Sequence, residues 1–276
     1  MFLVTGATGN IGGELVRALA HGGEQVRALT RDGASNGLPD GSTQVAGDMN
    51  DPDSLRPALT GISKMFLMPG YQDAARTLAY ARELGVTHVV MLSGNSAGSG
   101  DTGNAVSAYM IEAEAILKNS GLDWTIIRPY GFMSNTLQWI PQLQNGDQVT
   151  APFANVAIAM IDPYDIAAVA AQALTKTGHE GRIYHVTGPE PLRPADRVRI
   201  LGTVLDRDLT FRPQPDDEAR AEMSASMPQK YVDAFFSFYV DGTLDESTPL
   251  PTVAELTGRP PRTFEQWAQA HAAAFT

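Results

Sequence analysis

Cysteine is absent from the 276-residue sequence, and this absence excludes several classes of function at once. Disulfide bonds, thiolate nucleophiles and zinc–thiolate sites all require it. The five histidines are dispersed without paired ligand spacing, so we predict no metal site. No apolar run approaches the roughly 18–20 residues that cross a bilayer, and no signal-peptide pattern is visible. We therefore expect a cytoplasmic protein without a membrane partner.

Positive charge is also scarce, with 20 Lys and Arg against 31 Asp and Glu, a net charge of −11. Such a surface repels phosphate backbones, so we expect no nucleic-acid partner. A small anionic ligand is still compatible with it, because a binding site needs only local positive potential. The sequence contains neither the G-x-S-x-G elbow of hydrolases nor the phosphate loop of nucleoside triphosphatases.

The first half of the chain alternates short β-rich runs with helical patterns, which is typical of βαβ units on a parallel sheet. Because right-handed crossovers join such strands, we predict an α/β fold with a Rossmann-like doubly wound parallel sheet. The predicted strands are Phe2–Val4, Val26–Thr30, Thr43–Ala46, Met65–Met68, His88–Leu92 and Trp124–Arg128, and the main helices run over 11–20, 72–84 and 105–118.

The regular alternation of strand and helix patterns ends after Pro129. From there on glycine and proline are scattered, and strand and helix patterns are mixed. We predict strands at Ala157–Ile161, Ile183–Val186 and Leu209–Phe211, with helices over 164–174, 231–239 and 264–275. Residues 1–130 are therefore predicted to form the ligand-binding core, and residues 131–276 a smaller C-terminal α/β cap that partly completes the core sheet. The two parts are expected to form a single compact unit.

A glycine-rich turn follows the first strand directly and precedes the first helix. In a dinucleotide site, Gly6 permits the sharp turn, Gly9 lets the backbone approach the pyrophosphate, and Gly12 lets helix and strand pack closely. The helix N-terminus then offers free N–H groups to the anion. An ordinary glycine-rich turn is the alternative. The turn predicts an NAD(P) site that includes Thr5, Gly6, Thr8, Gly9, Asn10, Ile11 and Gly12.

The end of the second strand bears on the choice between NAD and NADP. A carboxylate there would bind the ribose hydroxyls, whereas an arginine favours the 2′-phosphate. Thr30 occupies the position where the acid is expected, and Arg31 follows it. We therefore predict NADP(H), with NADPH preferred over NADH. Two alternatives are that Arg31 is a solvated loop charge and that a small register shift brings in Asp32.

Three further strand ends should face the same crevice. Asp48 follows the third strand and is placed to accept from the adenine amino group. Met68-Pro69-Gly70 ends the fourth strand beside the nicotinamide ribose, and Ser93-Gly94 ends the fifth near the reactive ring. Each alone is an ordinary turn signal, but together they occupy successive strand ends.

At this point the sequence resembles the NmrA-like branch of the atypical short-chain dehydrogenase/reductase superfamily. The resemblance implies a Rossmann-like fold, a preference for NADP(H), and either reduction of quinones, enones and related carbonyls or redox sensing by dinucleotide binding. The segments that carry it are TGATGNIGGELVRAL (5–19), VRALTR (26–31), AGDMNDPDSL (46–55), EAEAILKNSGLDWTIIRPYGFMSN (112–135) and DIAAVAAQAL (165–174).

The superfamily's usual catalytic pair is Tyr-x-x-x-Lys on the helix after the fifth strand. Alignment on this helix puts Val106 at the tyrosine position and Met110 at the lysine position, and neither side chain can transfer a proton. Tyr109 is off-register by one residue, about 100° on a helix, so it is expected to point elsewhere. Glu114, on the same helix, is expected to be structural.

Hydride transfer to a quinone or enone does not strictly require a protein acid, because hydrogen-bond donors or water suffice. The candidate catalytic donors are Ser93, Asn95, Tyr109 and Tyr130, each of which could instead be structural. The candidate substrate pocket is Tyr130, Phe132, Met133 and Trp139, with Phe153 beside them and Phe235, Phe236, Phe238 and Tyr239 closing over them. A simple apolar core is the alternative interpretation of these aromatics.

The sequence therefore predicts an NADP(H)-binding oxidoreductase that reduces a conjugated or aromatic carbonyl without the usual catalytic pair. A non-catalytic NAD(P)-sensing regulator is the alternative, and a non-redox enzyme that retains the fold is a third possibility. The expected partner is an apolar or aromatic small molecule. The oligomeric state is left open, with a homodimer as one option.

Overall fold

The computed structural model describes residues 1–31 and 38–275. The strands are β1 (Phe2–Val4), β2 (Val26–Thr30), β3 (Ser42–Ala46), β4 (Lys64–Leu67), β5 (His88–Leu92), β6 (Asp123–Pro129), β7 (Gln148–Ala151), β8 (Arg182–Val186) and β9 (Thr210–Pro213). The helices are α1 (Asn10–His21), α2 (Arg56–Leu59), α3 (Ala74–Glu83), α4 (Ala105–Lys118), α5 (Ile140–Leu143), α6 (Pro163–Thr175), α7 (Pro194–Leu205), α8 (Asp216–Ser226), α9 (Gln229–Tyr239), α10 (Thr252–Thr257) and α11 (Phe264–His271). Short 3-10 segments run over Pro52–Leu55, Asn95–Ser99, Met133–Trp139 and Ala272–Ala274.

Seven strands form one parallel sheet in the order β3-β2-β1-β4-β5-β6-β8. The strand order reverses between β1 and β4, where a doubly wound sheet opens a crevice at the carboxyl ends of its strands. The predicted Rossmann-like fold is confirmed. β8 comes from the second half of the chain and pairs with β6, Ile126 opposite Ile183.

Alternating side chains of the central strands fill two cores, because successive residues of a strand point to opposite faces. Val4, Val90 and Ile127 lie in the core beneath α1, α6 and α10. Leu3, Val89 and Ile126 lie in the core beneath α2, α3 and α4. Because helices cover both faces of the sheet, a ligand can approach it only at the ends of its strands.

The remainder of the second half packs at one end of this sheet. β7 and β9 form a separate parallel pair, Val149 opposite Phe211, above a third core that contains Trp139 and Trp267. The predicted strand Ala157–Ile161 is wrong. This segment makes only isolated bridges, Ile158 with Leu192 and Ile161 with Phe132. Its apolar residues suit a strand, but the segment has a different bridge partner near each of its ends and forms no continuous ladder.

Candidate dinucleotide and substrate site

The glycine turn has the conformation that its three glycines predict. Gly6 adopts a positive φ of 63°, and the Gly9 N–H donates to the Gly6 carbonyl oxygen at 2.9 Å. A Cβ on Gly12 would overlap that same oxygen, so only glycine fits there. Helix α1 begins at Asn10 with no side-chain cap and no acidic residue in its first turn. Its first N–H groups are therefore free to bind an anion, and the residues fit a dinucleotide pyrophosphate.

A pocket of about 270 Å³ lies beside the turn at the ends of β2 and β3. It is lined by Gly6, Thr8, Thr30, Arg31 and Asp48, which the sequence assigns to the cofactor, together with Leu29, Gly47, Met49, Asn50 and Tyr71. The Thr30 hydroxyl is buried without a hydrogen-bond partner, whereas Arg31 is exposed. The pocket therefore combines a hydroxyl and a cation beside the turn, as an adenosine 2′-phosphate requires. Asp32 lies outside the described residues.

The end of β4 closes against the same turn. The Met68 N–H donates to the Thr5 hydroxyl at 2.9 Å, and a Cβ on Gly6 would lie 2.9 Å from the Met68 Cγ. Gly70 has a φ of 101° and lies directly against the Tyr109 hydroxyl. The Tyr109 ring lines a pocket of about 400 Å³ with Met68, Pro69 and Gly70, while its direction relative to a bound dinucleotide stays a prediction. Burial raises the pKa of this tyrosine.

Ser93 at the end of β5 is engaged within the protein. Its hydroxyl donates to Glu114 Oε1 at 2.7 Å, and Glu114 also accepts from Arg128 and Lys118. Burial acts to raise the pKa of Glu114, but hydrogen bonds from Arg128, Ser93 and Lys118 outweigh it and hold the pKa below its usual value. Because the Ser93 hydroxyl donates its hydrogen bond to a buried carboxylate, this residue belongs to the hydrogen-bonded scaffold that holds α4 in place. The structural interpretation of Glu114 agrees with these contacts.

Asn95 and Tyr130 lie around a buried carboxyl that the sequence pattern does not reveal. The Asn95 Oδ1 is 2.9 Å from His185 Nδ1, and the Asn95 side chain also hydrogen-bonds to Glu246. Burial raises the pKa of Glu246 to about 7, with Gly131 N–H and Asn95 opposing the shift. Tyr130 is buried, and its pKa is raised by burial and by the Glu246 charge. These groups form a polar cluster just beyond the ends of β5 and β6.

The resemblance assigns the positions of the usual catalytic pair to Val106 and Met110, and both residues lie on α4. Met110, at the lysine position, lies near Gly94, where an added Cβ would be 3.7 Å from its Cγ. Val106, at the tyrosine position, lies in the first turn of α4, beside the Asn104 cap. A methionine at the strand end can exclude water, but it cannot donate to a ribose hydroxyl.

A cavity of about 610 Å³ lies within the cap, since all the residues that line it belong to residues 134–239. Trp139, Phe153, Phe235 and Tyr239 line it, and the rings of Phe153 and Tyr239 are 5.1 Å apart. A second pocket at the turn, of about 280 Å³, is lined by Thr8, Gly9 and Asn10. Ser134 lines both this pocket and the large cavity, so these two spaces are adjacent.

Of the residues predicted to form the substrate pocket, Trp139 lines this cavity, whereas Tyr130, Phe132 and Met133 do not line it. Met133 is buried in the third core, and Phe132 packs against the core beneath α1. The packing of the 3-10 segment Met133–Trp139 determines where these side chains point, and the positions of aromatic residues in the sequence do not reveal that packing.

Arg197 and Glu246 are polar residues of the cap that the sequence analysis missed. Arg197 lies on α7 and lines the cavity, and Glu246 lies in the segment after α9. Neither belongs to a motif or to a strand end, so no local signal marks them. Within residues 1–31 and 38–275, no cluster of acidic or histidine side chains could hold a metal ion, and no helix is long and apolar enough to cross a membrane.

The parallel sheet and the glycine turn define a dinucleotide-binding α/β protein. The model of the NAD(P)H-binding family matches residues 6–177, more than half of the chain, and the chain belongs to this family. The predicted resemblance to NmrA-like proteins agrees with the solved structure of NmrA, a negative transcriptional regulator, which shares the fold with a TM-score of 0.74 at 17% identity.

Two curated relatives match the whole chain. The (4-alkanoyl-5-oxo-2,5-dihydrofuran-3-yl)methyl phosphate reductase of Streptomyces griseus is 39% identical over 280 residues, covering 100% of this chain and 99% of the relative. The NAD(P)H azoreductase of Xenophilus azovorans is 36% identical over 284 residues, covering 100% and 99%. Among solved structures, the NADPH-dependent quinone oxidoreductase of Escherichia coli, complexed with NADPH, has a TM-score of 0.78 at 22% identity. It covers 99% of this chain and 100% of that chain, and shows the shared fold.

Proposed function

We propose that the protein is an NADPH-dependent reductase of a small conjugated or aromatic acceptor, such as a quinone or an enone. The observation that carries this proposal is the aromatic cavity, which adjoins the pocket at Thr8, Gly9 and Asn10 through Ser134. A flat, apolar acceptor suits a cavity lined by Trp139, Phe153 and Tyr239. The two full-length relatives are both named as reductases, which supports the same chemistry.

The chain's own residues would bind and orient the two reactants. The free N–H groups at the start of α1 hold the pyrophosphate, and Arg31 holds the 2′-phosphate. When bound, NADPH supplies a hydride. The acceptor gains this hydride with its two electrons, its oxygen takes one proton from solvent, and NADP⁺ is the oxidised product. Met110 places an apolar side chain beside Gly94 at the end of β5.

Solvent is the proton source in this proposal because the hydroxyl at the end of β5 is engaged within the protein. Ser93 donates to Glu114, and neither Val106 nor Met110 carries an ionisable proton. A conjugated oxyanion needs only weak stabilisation before it is protonated, which makes such acceptors suitable for a site without the tyrosine–lysine pair.

The test is a panel of acceptors offered to the purified protein with NADPH, followed by loss of the reduced nicotinamide absorbance. We expect oxidation with quinones and enones, and little or none with simple aliphatic ketones, which require an acid. The variant Tyr239→Leu, which removes one aromatic ring from the cavity wall, should raise KM for the acceptor more than it lowers kcat. Tight NADPH binding with no oxidation by any acceptor would overturn the reductase and favour a dinucleotide-sensing regulator.

A further inference from the structure

Arg197 is a buried cation without a counter-ion. Only 8% of the residue is exposed, and none of the ion pairs in the described part of the chain includes it. Its single side-chain hydrogen bond is a long one, from Nη1 to the Thr136 hydroxyl at 3.4 Å. The Nε is buried with no partner. Burying a charge in this way is costly unless something pairs with it.

The guanidinium lies at the wall of the aromatic cavity. It stacks over the Trp139 ring at 4.9 Å, and both residues line the space of about 610 Å³. The Trp139 Nε1 is likewise buried without an acceptor. Two donors that lack acceptors therefore belong to neighbouring side chains of one wall. Burial lowers the pKa of Arg197 only to about 10, so the group stays charged at neutral pH.

No carboxylate of the cavity wall neutralises this charge. Glu222 lines the same space, but it is exposed and accepts from Gln214 Nε2 at 2.6 Å. The other described polar lining residues near the arginine, such as Ser134 and Gln138, are neutral. A guanidinium fork of this kind matches the paired oxygens of a carboxylate or a phosphate.

We propose that the cavity binds the oxyanion group of its substrate, a carboxylate or a phosphate monoester, on Arg197. The proposal rests on the reductase function and names its substrate class: a conjugated acceptor that carries an anionic substituent. The aromatic wall holds the apolar part of that molecule, and the arginine fixes its charged end. The substrate then supplies the counter-ion that the protein itself lacks.

Calorimetric titration with simple probes tests the site without turnover. Phenyl phosphate, benzoate and the neutral benzamide are titrated into protein saturated with NADP⁺, which occupies the phosphate-binding turn. At least one of the two anions should bind about ten- to a hundredfold more tightly than benzamide. The stronger anion distinguishes a phosphate site from a carboxylate site. Equal affinity for all three probes would overturn the proposal.

Two variants on one helix provide the matched comparison. Arg197→Met should abolish the preference for the anion, whereas Arg199→Met, which removes an exposed charge from α7, should leave it unchanged. Arg197→Met should also keep or raise the Tm of the ligand-free protein, because an unpaired buried charge is replaced by an apolar side chain. A lower Tm with unchanged anion binding would show that Arg197 is only structural.

Failure of this site and failure of the reductase give different results. Anion binding that depends on Arg197, without oxidation of NADPH by any acceptor, overturns the reductase alone. Oxidation of NADPH by neutral and anionic quinones at equal kcat/KM, in both wild type and Arg197→Met, overturns the anion site alone.

Discussion

Arg128 and Glu114 form two parallel hydrogen bonds inside the protein, Nε to Oε1 and Nη2 to Oε2, each 2.7 Å long. The pair joins β6 to α4, and the Ser93 hydroxyl at the end of β5 donates to the same carboxylate. Three elements around the proposed active site are thereby held by one buried anion. This arrangement explains why Ser93 belongs to the scaffold.

Replacing Glu114 by Gln should destabilise the protein strongly, because Arg128 would keep a buried charge without its partner. We expect a loss of about 3 kcal/mol in the free energy of unfolding, measured by urea denaturation near neutral pH. Glu83→Gln, which breaks the exposed pair with Arg56, is the control and should cost less than about 1 kcal/mol. Equal losses in the two variants would contradict the structural role of the pair.

Glu246 should make stability fall as the pH rises. Its pKa is raised to about 7 in the folded protein, chiefly by burial, with Asp245 adding to the shift and Tyr130 and Tyr239 facing it. The folded state therefore holds a proton that the unfolded chain releases near pH 4.5. The stabilisation, up to about 3 kcal/mol, is complete below that value and is lost as pH rises to about 7.

The variant Glu246→Gln tests this dependence, because it keeps a neutral group of the same shape beside Asn95. Denaturation curves between pH 5 and pH 8 should show a smaller fall in stability for the variant than for the wild type. An identical pH dependence in both proteins would exclude Glu246 as its source. At pH 8 the variant should be the more stable of the two.

Arg31 should control the choice of dinucleotide. Arg31→Ala should weaken NADPH binding by about 1.5–3 kcal/mol, because a charged hydrogen bond to the 2′-phosphate is lost, and should leave NADH nearly unaffected. Fluorescence titration with NADPH and with NADH gives the ratio of the two dissociation constants directly. If that ratio is the same in the variant, Arg31 does not contact the phosphate.

Gly12 should not tolerate a side chain, since a Cβ would overlap the Gly6 carbonyl oxygen. We expect Gly12→Ala to lose NADPH binding, because relieving the overlap must move α1 away from the turn. Gly13→Ala on the same helix is the control, since its Cβ would meet Ala7 oxygen at an ordinary 3.4 Å. NADPH binding of equal affinity in the two variants would show that the close approach is unimportant.

Strand ends are the part of the site that the sequence predicts well. Gly6, Thr30, Arg31 and Asp48 line one pocket because each lies at, or just after, the carboxyl end of a strand of the same parallel sheet, and that rule is local. The direction of Tyr109 could not be predicted in this way. It depends on how α4 rotates against the end of β4, which packing decides rather than the spacing on one helix.

The cap residues were harder still to predict. Arg197 looks like any charged position of an amphipathic helix, and Glu246 lies in a segment without periodicity. Their burial arises only when α7, α9 and the Met133–Trp139 segment come together around the cavity. The strand predicted at Ala157–Ile161 is wrong for a related reason, since an apolar run indicates burial and does not require a continuous ladder.

Equilibrium titration of the wild-type protein with NADPH and with NADH tests the central claim most directly. Saturable binding of one NADPH per chain, tighter than that of NADH, is the result that the glycine turn and Arg31 predict. Absence of binding by either dinucleotide, in protein shown to be folded by its circular dichroism, would contradict the account.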